Sequence, residues 1–125
     1  MILNCIIVGL GGFLGATSRY LIGEIPFKPQ NGFPIWTLII NISGAFLIGL
    51  ITALAEKHNG GNEKLIMFLK IGLCGGFTTF STFSLDTVKL FQCGKTGLGI
   101  IYIILSVALC MGAILGAQIT IRKAL

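Results

Sequence analysis

The stretch GGFTTFSTFS, residues 75–84, interrupts a chain that is otherwise rich in apolar residues. It contains two glycines, five hydroxyl residues and three phenylalanines, and it carries no charge. Glycine weakens a helix by about 1 kcal/mol per residue. A broken helix is tolerated at membrane depth only where its freed backbone is buried in protein or lines a wet cavity. The stretch therefore predicts a membrane helix that is broken between Gly75 and Thr78, beside a polar cavity.

The composition of the 125-residue chain indicates an integral membrane protein. Hydrophobic residues make up 54% and charged residues 10%, against roughly 45–50% and about 25% in soluble domains. The net charge of +5 comes from basic residues scattered along the chain rather than gathered in a patch, which argues against a nucleic-acid partner. The four cysteines form no CxxC pair, so we expect neither a zinc site nor a disulfide framework.

Four apolar segments predict membrane-spanning helices, at about residues 2–22, 36–55, 64–91 and 98–121. A spanning helix needs roughly 20 apolar residues, and each segment meets that length. We therefore predict an all-α membrane protein in which residues 1–125 form a single transmembrane domain. No Lys or Arg precedes the first apolar segment, so we interpret it as a retained helix rather than a signal peptide.

Basic residues are balanced between the two ends of these segments. Four lie on the side of the termini and four on the opposite side: Lys57, Lys64, Arg122 and Lys123, against Arg19, Lys28, Lys89 and Lys95. The ninth, Lys70, lies within the third segment and leans the count slightly. Membrane orientation normally follows an excess of Lys and Arg on the cytoplasmic side. The balance predicts insertion in both orientations and an antiparallel, dual-topology homodimer. The patterns Gly11-xxx-Gly15 and Gly112-xxx-Gly116 predict close helix packing, within a subunit or between subunits.

Several residues within the predicted helices have both a structural and a functional interpretation. Asn41 either bonds a neighbouring helix or donates to a permeating species. Arg19 either extends to the membrane interface or attracts anions to a vestibule. Phe77, Phe80 and Phe83 recur three residues apart, which is typical of packing. Their positive ring edges would also favour an anion. Broken-helix carbonyls can in addition coordinate a cation.

The segments GATSRY, TLIINISGAFLIGL and GLCGGFTTFSTFS resemble those of the Fluc family of fluoride channels, also called CrcB. The resemblance covers essentially the whole chain and keeps these elements in the same order. It implies a passive, highly selective channel that exports fluoride across the bacterial plasma membrane and gives fluoride resistance, not an enzyme. It also implies an antiparallel homodimer with two fluoride pores.

The same resemblance implies roles for individual residues. The fluoride pore residues that it implies are Asn41, Phe80, Phe83, Ser81, Thr82 and Ser106. Arg19 corresponds to an arginine near the vestibule. The backbone carbonyls of Gly75 and Thr78 from each subunit correspond to ligands of a structural sodium ion at the dimer interface. Carbonyl oxygens are chemically suited to such a hard cation.

Three positions depart from the family pattern. Asp86 stands where a glutamate is expected, which keeps the charge and shortens its reach. Phe77 stands where a smaller or aliphatic residue is common, and we interpret it as a packing residue. Cys110 replaces a hydroxyl of a polar track on the fourth helix with a poorer hydrogen-bonding thiol.

Three other classes of protein explain the sequence less well. A small multidrug transporter also has four helices and dual topology, but it needs an acidic residue in the first helix, and residues 2–22 contain none. A non-conducting assembly subunit leaves the polar stretch in the membrane without a use. An enzyme would need a nucleophile and a base, whereas the single histidine, His58, lies in a polar loop.

Overall fold

Four helical spans form the fold of residues 1–124, the part of the chain that the computed structural model describes. All four are long and apolar enough to cross a membrane, and the last has the highest mean hydropathy, 2.6. This confirms the prediction of an all-α membrane protein with four spanning helices.

Three of the spans are single helices and the third span is composite. The elements are α1 (Ile2–Gly23), α2 (Ile35–Lys57), α3 (Glu63–Ile66), a π-helical segment (Met67–Cys74), α4 (Gly75–Phe77), α5 (Phe80–Gln92) and α6 (Thr96–Ala124). The elements from α3 to α5 together make the third span, Glu63–Gln92. Short connections at residues 24–34, 58–62 and 93–95 make successive spans antiparallel.

The third span is broken at Thr78 and Thr79. Thr78 has ψ 159°, and Thr79 has φ −152° and ψ 113°, so both are extended. Gly75 keeps helical angles, with φ −63° and ψ −38°. The prediction that the break begins at the glycine pair was therefore wrong in position. Thr79 finds hydrogen-bond partners on a neighbouring helix, and that support, rather than the low helix propensity of glycine, determines where the helix stops.

Glycines let α1 approach the third span at backbone distance. A Cβ atom on Gly11 would lie 2.5 Å from the Phe68 carbonyl oxygen and 2.9 Å from the Gly72 Cα. A Cβ on Gly76 would lie 2.6 Å from the Gly12 carbonyl oxygen. Any side chain at Gly11 or Gly76 would therefore separate the two spans. The glycine at position 76 serves helix packing rather than the break itself.

The two GxxxG patterns have different surroundings. Gly11 and Gly15 are both buried, and they pack against the third span within the same subunit. A Cβ on Gly112 or Gly116 would meet no heavy atom within 4 Å. The pattern on α1 therefore joins helices of one subunit, whereas the pattern on α6 lies open to lipid or to another chain.

Small residues also join α2 to α6. A Cβ on Gly49 would lie 2.8 Å from the Ile114 carbonyl oxygen, and Ala53 and Ala117 are buried in the same contact region. Large apolar side chains such as Phe13 are mostly exposed at the outer surface of the subunit. This inverts the usual pattern of soluble proteins, because lipid solvates large apolar side chains and helix contacts favour small ones.

We expect Gly11→Ala to lower the thermal stability of the protein. The added methyl group would overlap the Phe68 carbonyl oxygen, and overpacking costs about 1–3 kcal/mol. The gain in helix propensity, about 1 kcal/mol, would not offset that cost. Gly9→Ala is the matched control, because a Cβ at Gly9 meets no heavy atom within 4 Å. Thermal unfolding of both variants in detergent measures the difference. A melting temperature of Gly11→Ala at or above that of Gly9→Ala would contradict the close contact.

Candidate functional site

The side-chain amide of Asn41 holds the break in the third span. Its Oδ1 accepts a hydrogen bond from the backbone N–H of Thr79 at 2.8 Å. Its Nδ2 donates to the backbone carbonyl of Thr79 at 3.1 Å. The Asn41 amide of α2 thus pairs with both backbone groups of one residue of the third span, much as a residue of a neighbouring strand would. Both backbone groups of Thr79 are satisfied without helical hydrogen bonds.

This pairing changes the hydrogen bonding of the carbonyls that precede the break. The Thr79 N–H donates to Asn41 rather than to the Gly75 carbonyl four residues earlier, as it would in a continuous helix. The next carbonyl, that of Gly76, accepts a hydrogen bond from Arg19 Nε at 3.3 Å. Arg19 is half-buried and connects the end of α1 to the break. The Arg19 side chain therefore contacts the third span and does not extend only toward the membrane interface.

The hydroxyl of Thr79 caps α5. Thr79 Oγ1 accepts from the backbone N–H of Thr82 at 3.1 Å and donates to Thr82 Oγ1 at 3.0 Å. It also lies 3.3 Å from Ser81 Oγ. An N-cap hydroxyl satisfies one of the amide groups that a helix start leaves without a partner. The side chains of Ser81 and Thr82 are therefore gathered around Thr79.

A cavity of about 360 Å³ lies beside the break, between α2, the third span and α6. Of the residues predicted for the pore and the sodium site, six line this cavity: Asn41, Phe80, Phe83, Ser106, Gly75 and Thr78. The other three, Ser81, Thr82 and Arg19, are not among its lining residues. The cavity thus brings together side chains from helices that are far apart in sequence.

Two phenylalanine rings form one wall of the cavity. The ring centroids of Phe80 and Phe83 are 5.4 Å apart, and the ring of Phe83 lies 5.2 Å from that of Tyr102. Phe80 is 78% exposed at the surface of the subunit. Phe77 is not among the lining residues of the cavity and instead packs close to Gly44 of α2. Of the three phenylalanines that recur three residues apart, two therefore line the cavity and one packs between helices.

Two buried hydroxyl groups on α6 have no hydrogen-bond partner within the described part of the chain. Ser106 is only 6% exposed and lines the cavity. Tyr102 is fully buried one turn earlier and packs against Phe83. Leaving a buried polar group unpaired costs about 1–3 kcal/mol. Such groups in native proteins usually meet water, an ion or a ligand, so the Ser106 hydroxyl, which lines the cavity, is a donor that is free for one.

Asp86 and Lys70, two charged residues of the third span, lie away from this cavity. Asp86 accepts a hydrogen bond from Thr37 Oγ1 at 2.7 Å. It lines a smaller cavity of about 150 Å³ with Lys89 and Lys95, near the connections at the end of the bundle. Lys70 is half-buried in the π-helical segment. The main cavity is therefore lined by neutral side chains.

The donor groups at the break determine which cations would fit there. Residues 1–124 contain no group of three or more His, Cys, Asp or Glu side chains that could hold a metal ion. The break instead offers backbone oxygens, and the Gly75 carbonyl has lost its helical donor to Asn41. Neutral oxygen ligands suit a hard cation such as sodium. The chemistry of these oxygens fits the predicted ion.

Sequence reasoning missed Thr79, Thr37 and Tyr102. Thr79 is one of five hydroxyl residues within residues 78–84, and the local pattern does not distinguish a capping hydroxyl from a pore-lining one. Thr37 lies four residues before Asn41, on the same helical face, and the sequence does not show that its hydroxyl bonds Asp86. Tyr102 lies in an apolar run without any turn or motif signal. A phenol within a membrane helix was itself a signal, because its hydroxyl needs a partner.

The chain is similar to the members of a known protein family. Residues 6–117 match the family described as "CrcB-like protein, Camphor Resistance (CrcB)". The chain is 54% identical over 119 residues to "Fluoride-specific ion channel FluC" of Ruminiclostridium cellulolyticum, covering 94% of this chain and 92% of the relative. Proteins of the same name from Clostridium novyi and Cereibacter sphaeroides are 47% and 43% identical. These alignments cover 89% and 98% of this chain, and 88% and 97% of the relatives.

The relatives agree with the resemblance inferred from GATSRY, TLIINISGAFLIGL and GLCGGFTTFSTFS. All three are named ion channels, which confirms the prediction that the family is one of channels and not of enzymes. Because the match extends over nearly all of the four spans, it concerns the whole fold and not an isolated motif. The chain belongs to the CrcB family.

Proposed function

We propose that this chain is a passive, highly selective fluoride channel of the bacterial plasma membrane, exporting fluoride from the cytoplasm and giving fluoride resistance. The observation that carries the proposal is the cavity in which Asn41, Phe80, Phe83 and Ser106 meet beside a broken membrane span. The names of the relatives support fluoride as the ion. Conduction requires groups that replace the water of the ion without binding it too tightly. A neutral cavity with a few donors meets that requirement.

Asn41 supplies one of these donors. A side-chain amide nitrogen carries two hydrogens, and one of them is donated to the Thr79 carbonyl. The second has no partner within the described subunit and is available to fluoride. Because the amide is held at both its oxygen and its nitrogen, its orientation is fixed before the ion arrives. A fixed donor needs little reorganisation when it binds an anion.

The phenylalanine rings and a buried hydroxyl extend this path. Ring edges carry partial positive charge, so Phe80 and Phe83 can contact fluoride through their edges and bind it weakly. Ser106 lines the cavity and has a buried hydroxyl without a partner, so it can donate to fluoride as the ion leaves the rings. The residues that line this cavity include no cationic side chain that would trap the anion.

Arg19 contributes to the electrostatic potential near the break. Its guanidinium group has five N–H donors, and one of them, on Nε, is bonded to the Gly76 carbonyl. The charge therefore stays close to the third span without lining the cavity. A fixed positive charge raises the local concentration of anions at a vestibule.

The functional unit that we propose is an antiparallel, dual-topology homodimer with two pores. Phe80 is a large aromatic residue that is 78% exposed beside a cavity open to the surface of the subunit. A second copy that covers this face would enclose the cavity. The balance of basic residues at the two ends of the spans supports opposite orientations of the two copies.

A structural sodium ion at the dimer interface completes the proposal. The carbonyls of Gly75 and Thr78 from both subunits would hold it, since these oxygens lie at the break where helical hydrogen bonding is interrupted. The ion would draw carbonyl dipoles of the two subunits together. Its charge would also favour an anion in the adjacent cavity.

Ion flux from liposomes tests the channel function. We expect purified wild-type protein to release fluoride rapidly and chloride far more slowly. Phe80→Ile, Phe83→Ile and Asn41→Asp should each reduce fluoride flux by about tenfold or more, which corresponds to roughly 1.4 kcal/mol in the barrier. Phe13→Ile is the matched control, because Phe13 lies on α1, is 67% exposed and is not a cavity residue.

The flux experiment distinguishes a wrong function from a wrong assignment of the pore residues. Wild-type protein without fluoride flux would overturn the proposed function. Wild-type flux in all three cavity variants would leave the function standing and remove these residues from the path. Size-exclusion chromatography of each variant checks that any loss of flux does not come from loss of the folded assembly.

Labelling of a C-terminal tag tests dual topology. We expect the tag to be accessible from both faces of the membrane, because neither end of the bundle carries an excess of basic residues. A variant with His58→Lys and Asn59→Lys adds positive charge to one end and should shift the tag to a single face. Wild-type protein with its tag on one face only would contradict dual topology.

Replacement of sodium tests the proposed cation. We expect the melting temperature of the protein in detergent to rise with sodium concentration, because a ligand that binds only the folded state adds about 2.7 kcal/mol of stability at a hundredfold excess over its Kd. N-methyl-D-glucamine at equal ionic strength serves as the control, since it is too large for a site between carbonyls. Identical melting temperatures in the two salts would contradict the site.

A further inference from the structure

Thr79 connects α2 and α5, two of the helices whose side chains meet in the cavity. Its backbone N–H and C=O both bond the Asn41 amide of α2, at 2.8 and 3.1 Å. Its side-chain hydroxyl bonds the first turn of α5. The residue is only 8% exposed, so these contacts occur away from bulk solvent or lipid. One residue therefore fixes the proposed amide donor and the helix that carries the proposed aromatic residues.

The hydroxyl of Thr79 determines where α5 begins. It accepts from the Thr82 N–H and donates to Thr82 Oγ1, so it satisfies a backbone donor and anchors the first helical turn. Phe80 is the first residue of that turn, and Phe83 follows one turn later on the same face. Loss of the hydroxyl would leave the Thr82 N–H unpaired and would let this turn fray. Both rings would then lose their fixed position relative to Asn41.

We propose that Thr79 is the positioning residue for anion selection in this channel. It acts through Asn41 and Phe80 and uses its hydroxyl to hold α5. This inference rests on the proposed function. Fluoride and chloride carry the same charge and differ in radius and hydration, so selection between them depends on the spacing of the groups that replace water. Such groups must be held within about 0.5 Å of their working positions by the residues that support them.

Two matched pairs of side chains isolate the hydroxyl of Thr79. Thr and Val at this position have nearly the same shape and differ in the hydroxyl. Ser and Ala differ in the hydroxyl alone. We expect Thr79→Ser to keep the fluoride flux and the fluoride-to-chloride ratio of the wild type within about twofold, because the cap remains. Thr79→Val and Thr79→Ala should lose about tenfold to a hundredfold in that ratio or in fluoride flux, the scale of a misplacement of about 1 Å.

The experiment uses full-length protein in liposomes, with flux expressed per folded assembly after size-exclusion chromatography. Thr52→Val is the control. Thr52 lies on α2, is half-buried, and donates its hydroxyl to the Ile48 carbonyl of its own helix at 2.7 Å. Removing that hydroxyl leaves no donor unpaired in the break, so flux and selectivity should match those of the wild type. The melting temperature of each variant is measured in parallel.

Each outcome decides the proposal. A lower melting temperature with an unchanged ion ratio and unchanged flux per folded assembly would make Thr79 a purely structural residue and overturn the proposal. Equal conduction in the hydroxyl-bearing and hydroxyl-free members of both pairs would do the same. Failure of both Thr79→Val and Thr79→Ala to fold would make the hydroxyl a folding determinant, again overturning it. Wild-type protein without fluoride flux would instead overturn the proposed function, and this role with it.

Discussion

A membrane span can be broken only where the freed backbone groups find other partners or line a cavity, because lipid offers none and each unpaired group costs several kcal/mol. At the break, side chains from two other parts of the chain pair with the backbone groups of Thr79 and Gly76, and Gly75 lines the cavity. Asn41 satisfies both backbone groups of Thr79. Arg19 satisfies the Gly76 carbonyl. The interrupted helix thus depends on α1 and α2 being close enough to reach it.

That closeness depends on glycine. Gly11 and Gly72 bring the backbones of α1 and the third span into contact, so that the end of α1 lies beside the break and Arg19 can reach it. In lipid the association of helices gains little from burying large apolar groups, so packing of small residues replaces it. Lipid therefore explains both the exposed phenylalanine side chains, which it solvates, and the buried glycines, which let the helices pack closely.

The groups that support the break also build the site. The backbone of Thr79 holds the Asn41 amide through two hydrogen bonds, and one hydrogen of the amide nitrogen remains for the cavity. The hydrogen bond that Asn41 accepts from Thr79 removes the helical donor of the Gly75 carbonyl, which makes an oxygen available to a cation. Structure and proposed function therefore share the hydrogen bonds between Asn41 and Thr79, and neither of those two bonds involves an ionised side chain.

The amino-acid sequence alone determined the class of the protein, its four spans and the region of the break. Apolar length and turn residues are local properties, and the requirement to pair polar groups in lipid applies to every hydroxyl in GGFTTFSTFS. Tertiary structure decided the rest. Local propensity placed the break at Gly75, yet Asn41, 38 residues away from Thr79 along the chain, moved it by offering hydrogen bonds to the backbone of Thr79. The sequence likewise could not choose which hydroxyl caps α5, because that choice depends on contacts between helices that no local pattern records.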